Sequence, residues 1–218
     1  MAEEASGEAG HDWRVLQFLT TEHFTLQTAR SATIFEANGR ASLFVTAVSA
    51  ALIAMGFLAQ ATEMGGGFVL FGAVVLPCLY FLGVAAFVRA LQTGLEDAVH
   101  LRGIIRIRHY YLELAPEMRR YLIHPATDDR MGLARAMGIR PAWWQLFFTT
   151  SGMVAVLASV IAGAFVALLA RGVFGAPLGL AVALGAAAFV ASVCWLLAIQ
   201  HRTWESLDEV APPEFRGS

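Results

Sequence analysis

The sequence predicts an all-α, polytopic membrane protein with four transmembrane helices, both termini in the cytoplasm and helices extended into the cytoplasm. Three observations predict it. First, 57% of the 218 residues are hydrophobic and only 15% are charged, with a mean hydropathy of +0.61. A soluble domain of this size needs more charge to cover its surface. Second, residues 41–62, 64–88, 141–170 and 172–201 contain no Asp, Glu, Lys or Arg. Each is long enough for the roughly 20 apolar residues with which a helix crosses a bilayer. Third, the basic residues are distributed unevenly between the segments that join these spans.

All fifteen basic residues are arginine, the usage expected of a GC-rich genome. Arg14, Arg30 and Arg40 precede the first span. Nine arginines, from Arg89 to Arg140, separate spans two and three, and Arg202 and Arg216 follow span four. Arg171 alone falls on the other side. The positive-inside rule therefore places the N-terminus, the central region and the C-terminus in the cytoplasm. Trp143 and Trp144, and Trp195 and Trp204, sit where interfacial anchors belong. The expected location is the cell's inner (plasma) membrane.

In chain order, residues 1–11 are acidic and polar, unlike a signal peptide, and are expected to be disordered. Residues 12–38 read as an amphipathic cytoplasmic helix. Its apolar side is supplied by Trp13, Leu16, Phe18, Phe24, Leu26, Ile34 and Phe35, and Gly39 is a candidate hinge. Residues 40–90 form a first transmembrane hairpin, reversed near Glu63–Gly67, where Gly65, Gly66 and Gly67 would allow the turn. Only glycine interrupts the run from Arg89 to Ala115, so span two is expected to continue to Leu114 and stop at Pro116. The cytoplasmic helical region 91–140 then holds short helices near 117–123 and 128–137. Residues 141–202 form the second hairpin, and 203–218 a cytoplasmic tail. Pro77 is expected to kink span two. In span four, Ala181 and Gly185 form a small-xxx-small pair suited to close helix packing.

Signals for chemistry are sparse. There is no phosphate-binding glycine loop, GxSxG, HExxH or CxxC pattern. Glu96/His100 and His109/Glu113 are only pairs, where a metal site needs three or four ligands. No cofactor or metal is expected, and the chain is not expected to be an enzyme. A net charge of −2 gives no reason to expect a nucleic-acid partner. Cys78 and Cys194 lie mid-span and are expected to act as small hydrophobes. Arg102, Arg106, Arg108, Arg119 and Arg120 could contact anionic lipid or a small cytoplasmic ligand, although the positive-inside rule alone accounts for their presence.

The first span carries the most informative pattern. Of its six polar residues, counting the flanking Glu63, five fall on one series with steps of four and three: Ser42, Thr46, Ser49, Ile53, Gly56, Gln60, Glu63. Such a seam stays on one helix face, drifting only about 20° per heptad. Around an axis it would line a channel. Ile53 would form a dry constriction, and Gln60 with Glu63 would make an outer ring favouring cations. Ordinary packing of small and hydroxyl residues against another helix is the competing explanation.

A cytoplasmic helix leading into span one, a polar stripe along that span and an outer acidic residue resemble the calcium-release-activated (Orai) channel family. The resemblance implies a channel, with Glu63 matching the family's outer glutamate and Ile53 its hydrophobic section. The family's inner pore is strongly basic, whereas Ser42 and Thr46 are neutral. The stretch EANGRASLFVTAVSAALIAMGF is also similar to the first span of bacterial membrane effectors in nucleotide-signalled phage defence. The whole chain resembles four-span membrane proteins of actinobacteria, from which no activity carries over. The expected function is a subunit of a homo-oligomeric, cation-permeable ion channel lined by span one. The alternatives are a membrane effector or sensor gated by a cytoplasmic ligand, and a non-conducting scaffold or accessory subunit.

Overall fold

A computed structural model describes residues 2–138 and 143–216, with side chains described from Trp13 onward except at Trp143. Every regular element among them is helical. The helices are α1 (Ala2–Ala61), α2 (Gly66–Leu114), α3 (Arg130–Ala136), α4 (Thr150–Gly172), α5 (Leu178–Glu205) and α6 (Leu207–Val210), with 3-10 turns at Pro116–Tyr121 and Trp143–Phe148. α1, α2, α4 and α5 are the four helices long and apolar enough to cross a membrane, the make-up of a multi-pass membrane protein.

α1 is one unbroken element that includes Gly39. α2 continues through Pro77 and ends at Leu114, where the sequence placed its end. Ala115 leaves helical geometry (φ −141°, ψ 80°) and Pro116 opens the next turn, as expected where a proline ring crowds the preceding residue. The expected short helices appear as the 3-10 turn Pro116–Tyr121 and as α3. Asp129 caps α3 by accepting from the Gly132 N–H at 2.8 Å. The expected closing position at Pro141, like Arg140, lies outside the described residues.

The α1–α2 turn corrects the sequence reading. The left-handed residues are Glu63 (φ 49°) and Met64 (φ 57°), not the glycines. Met64 N–H donates to the Ala59 carbonyl at 3.1 Å, closing a Schellman-type end with Glu63 as the left-handed residue. Gly65 is needed for space, since a Cβ there would lie 2.9 Å from the Thr62 carbonyl oxygen. Gly66 and Gly67 already belong to α2. The third span also begins later than the uncharged run suggested. Residues 143–148 form a 3-10 turn, and Thr149 caps α4 by accepting from Gly152 N–H at 3.0 Å.

The chain folds as two compact units. One comprises residues 36–93 and 142–205. Its core joins Phe44 and Val48 of α1, Leu76, Leu79, Phe87 and Leu91 of α2, Val154, Ala155, Ala158 and Ile161 of α4, and Leu196 of α5. Small residues set the helix spacing. Gly83 leaves room for the Phe44 ring and Ala158, each less than 3 Å from where a Cβ would sit. Gly163 of α4 faces Gly185 of α5 so closely that a Cβ on either would lie 2.8 Å from the other's carbonyl oxygen. Ala181, one turn earlier on α5, is buried. The expected small-xxx-small pair therefore packs against α4. A hydroxyl chain ties the same helices: Ser159 Oγ lies 3.0 Å from Ser192 Oγ, itself 3.2 Å from the Tyr80 hydroxyl.

The other unit comprises residues 1–35, 94–141 and 206–218. Ala98, Leu101, Ile104, Ile105 and Ile107 of α2, with Leu133 and Leu207, are its buried apolar residues. Leu26 of α1 lies over Gly103, and Arg30 forms a two-pronged pair with Asp97 at 2.7 and 3.1 Å. Of the apolar side chains assigned to segment 12–38, Leu16 and Leu26 are partly covered. Trp13, Phe18, Phe24, Ile34 and Phe35 are exposed.

The α4–α5 contact yields a prediction. Replacing Gly163 or Gly185 with leucine drives a side chain into opposing backbone, which cannot rotate aside, and should cost about 1–3 kcal/mol. Gly39→Ala, with open space around the new methyl, should be neutral or raise stability by up to about 1 kcal/mol. Thermal unfolding in detergent, compared across the three variants, checks both.

Candidate functional site

All seven seam residues, Ser42, Thr46, Ser49, Ile53, Gly56, Gln60 and Glu63, are exposed within their unit. At about 100° per residue, the seam lies roughly opposite the face carrying Phe44 and Val48. The chain's own core therefore does not cover it. Thr46 Oγ1 donates to the Ser42 carbonyl at 2.8 Å and Ser49 Oγ to the Val45 carbonyl at 2.9 Å. With its proton so used, each oxygen keeps lone pairs for an external donor or a cation. Ile53 is 62% exposed at mid-span, and a Cβ on Gly56 would meet nothing within 4 Å. Gln60 and Glu63 occupy the end of the seam at the left-handed turn.

Arg40, the basic residue nearest the seam's other end, is held elsewhere. Its guanidinium lies 3.2 Å from Glu36, which also accepts from Arg89 Nε at 3.0 Å.

In the other unit, the arginines singled out in the sequence separate into two groups. Arg102, 1% exposed, donates to Asp208 Oδ1 at 2.9 Å and to the Ala211 carbonyl. Arg106 donates to Asp128 Oδ2 at 2.8 Å and to the Pro212 carbonyl. Arg108 reaches the Pro125 carbonyl at 3.1 Å. These three are thus engaged by the chain's own 125–128 loop and C-terminal segment. Arg119 and Arg120 lie apart on the exposed 3-10 turn, with Arg120 over the Tyr121 ring at 4.8 Å.

Asp128 is the residue that sequence reasoning missed. It is fully buried, and besides Arg106 it accepts from the N–H groups of Glu214 (3.0 Å) and Phe215 (2.7 Å). Its own N–H donates to the Phe215 carbonyl at 3.0 Å. The Phe215 ring stacks on His109 with centroids 3.7 Å apart. An acidic residue beside a second acid, Asp129, carries no local sign that a tail some 86 residues away will close on it. Burial pushes the Asp128 pKa up, but the Arg106 hydrogen bond and the two backbone N–H groups outweigh this and hold it below the usual carboxylate range.

No group of three or more His, Cys, Asp or Glu side chains able to hold a metal occurs among the described residues. His109 and Glu113 form a pair at 3.5 Å, and Cys78 and Cys194 are free and exposed. No protein-family model, curated protein or solved structure matches the chain.

The Asp128 contacts set the sign of a pH effect. A carboxylate whose pKa is lowered by folding stabilises the fold above its unfolded value, near 4, and loses that contribution as pH falls through the lower folded value. The tail should therefore loosen only in acid. Asp128→Asn should reproduce the loosening at neutral pH, at a cost of about 1.5–3 kcal/mol for lost charge-assisted hydrogen bonds. Amide hydrogen exchange across residues 211–216, followed by mass spectrometry in wild type and variant, measures the tail directly.

Proposed function

We propose that this chain is a subunit of a homo-oligomeric, cation-permeable channel in the plasma membrane, lined by the α1 seam. The arginine-bearing ends and both termini are cytoplasmic. The observation that carries the reading is the seam's position. The seam positions of span one occupy the face turned away from the chain's own core, and all seven are exposed. In a lone chain that face would meet lipid, where Gln60 finds no hydrogen-bonding solvent. Copies arranged with α1 innermost would turn it to water.

The chemistry of such a path follows from the residues. Hydroxyl oxygens whose protons are already given to the backbone present acceptors to a cation in the half nearest Arg40. Ile53 supplies an apolar ring that excludes water when narrow. Gln60 and the Glu63 carboxylates form the outer mouth, where a ring of negative charge concentrates cations and repels anions. Orientation follows the arginine distribution.

Two measurements test this. Purified protein in lipid nanodiscs should be oligomeric, and reconstituted protein should conduct cations. Glu63→Gln should lower cation-over-anion selectivity, read as a shift in reversal potential under a salt gradient, and Ile53→Ser should raise resting conductance. A monomer found only in complex with a different membrane protein would overturn the channel reading in favour of a scaffold. Conductance and selectivity unchanged in both variants would remove the seam from the conduction path.

A further inference from the structure

The α1–α2 pair leaves an open groove on the flank of its unit, separate from the seam. It is about 260 Å³ in volume and lined by Leu43, Phe44, Ala47, Leu82, Ala85 and Ala86, with Arg40 at one end. The three alanines make the space, and Phe44 over Gly83 makes the floor. Arg40 sits immediately before the first uncharged residue of span one. In a bilayer the apolar length of the groove would therefore lie among acyl chains, with Arg40 at headgroup depth.

Two features identify the occupant. The first is charge. Arg40 and Arg89 share one carboxylate, Glu36, at 3.2 and 3.0 Å. The Arg40 side chain is half exposed and retains N–H donors beyond those it gives to Glu36. The second is a contrast within the same helix pair. A second groove of about 360 Å³, lined by Ala54, Phe57, Leu58, Ala61 and Phe71, lies toward the Glu63 end. Its lining is apolar throughout, with no arginine. An apolar groove gains little by exchanging one acyl chain for another, because lipid tails are as apolar as the groove. Selectivity must come from the headgroup, and only the Arg40 end offers charge complementary to a phosphate.

We propose that the Arg40 groove is a binding site for an anionic phospholipid, with one acyl chain along Ala47, Ala85 and Ala86 and the headgroup phosphate on Arg40. Glu36 limits the affinity by neutralising part of the cluster. The site takes the lipid from the leaflet at the arginine-bearing end of the spans, and the groove at the Glu63 end carries no such preference.

The test uses the full chain in detergent. Thermal stabilisation is titrated with phosphatidylglycerol, with phosphatidylcholine of the same chains as the neutral comparison and soluble glycerol phosphate as the headgroup-only comparison. Phosphatidylglycerol alone should stabilise. Arg40→Ala should weaken its apparent affinity by about fivefold, as expected for one arginine near a lipid surface. Ala86→Phe, which fills the groove but leaves every charge in place, should weaken it comparably. Glu36→Gln should strengthen it. Arg202→Ala, also basic but not part of the groove, should leave it unchanged and guards against a general charge effect. Stabilisation by glycerol phosphate alone, equal stabilisation by phosphatidylcholine, or phosphatidylglycerol stabilisation surviving Ala86→Phe would each overturn the proposal. Variants that melt earlier without lipid remain informative, because the readout is the lipid-dependent shift from each variant's own baseline.

Discussion

A helix that crosses a bilayer finds no water there, so every polar group it carries must be satisfied by protein. In the unit of residues 36–93 and 142–205, three arrangements satisfy polar groups in this way. Thr46, Ser49 and Ser159 return their hydroxyl protons to carbonyls one turn back. Tyr80, Ser159 and Ser192 bond one another across α2, α4 and α5. Gln200, fully buried, donates to the Thr149 hydroxyl at 3.2 Å, at the point where α4 begins. Gln60 and Glu63 remain on the outer side of α1, where the proposed pore would give them water.

In the unit of residues 1–35, 94–141 and 206–218, arginine meets a different version of the same problem. Arg102 is charged and almost wholly buried, and a buried charge is tolerated only when paired and hydrogen-bonded. The C-terminal segment supplies both needs, with Asp208 as the counter-charge and the Ala211 carbonyl as a further acceptor. Arg106 repeats the arrangement with Asp128 and Pro212. Arginine's planar fork allows one side chain to hold a carboxylate and a carbonyl together. Two of the arginines in the basic region between spans two and three therefore anchor the C-terminal segment.

How much was legible in the sequence follows from the range of each interaction. The uncharged runs, the stop at Leu114 and the Ala181/Gly185 packing depend on local composition, and all were readable. The seam was readable as a spacing, but its direction depends on where Phe44 and Val48 go, and the core decides that. The glycine run was misread because glycine permits a left-handed turn without requiring one. Here the hydrogen bond from Met64 to Ala59 places Glu63 in that conformation instead. The start of α4 was misplaced because residues 141–149 are as free of charge as the helix that follows, and only the Thr149 cap marks the boundary. Asp128 was invisible because its partners are brought to it from the far end of the chain.

Span one presents three faces with different chemistry. One carries Phe44 and Val48 into the core, one carries the polar seam, and between them lies the alanine-lined groove that Arg40 closes. A helix packed into a bundle on all sides would have no use for the second and third. A helix lying at the edge of a lone chain would be better served by leucine than by Gln60 on the second. The combination is consistent if α1 stands between its own core and a water-filled axis, with lipid reaching its flank. In that setting the serine and threonine positions are not competing claims of packing and conduction. Their protons satisfy the helix and their oxygens remain for the path, so one hydroxyl serves the dry side of the helix and the wet side together.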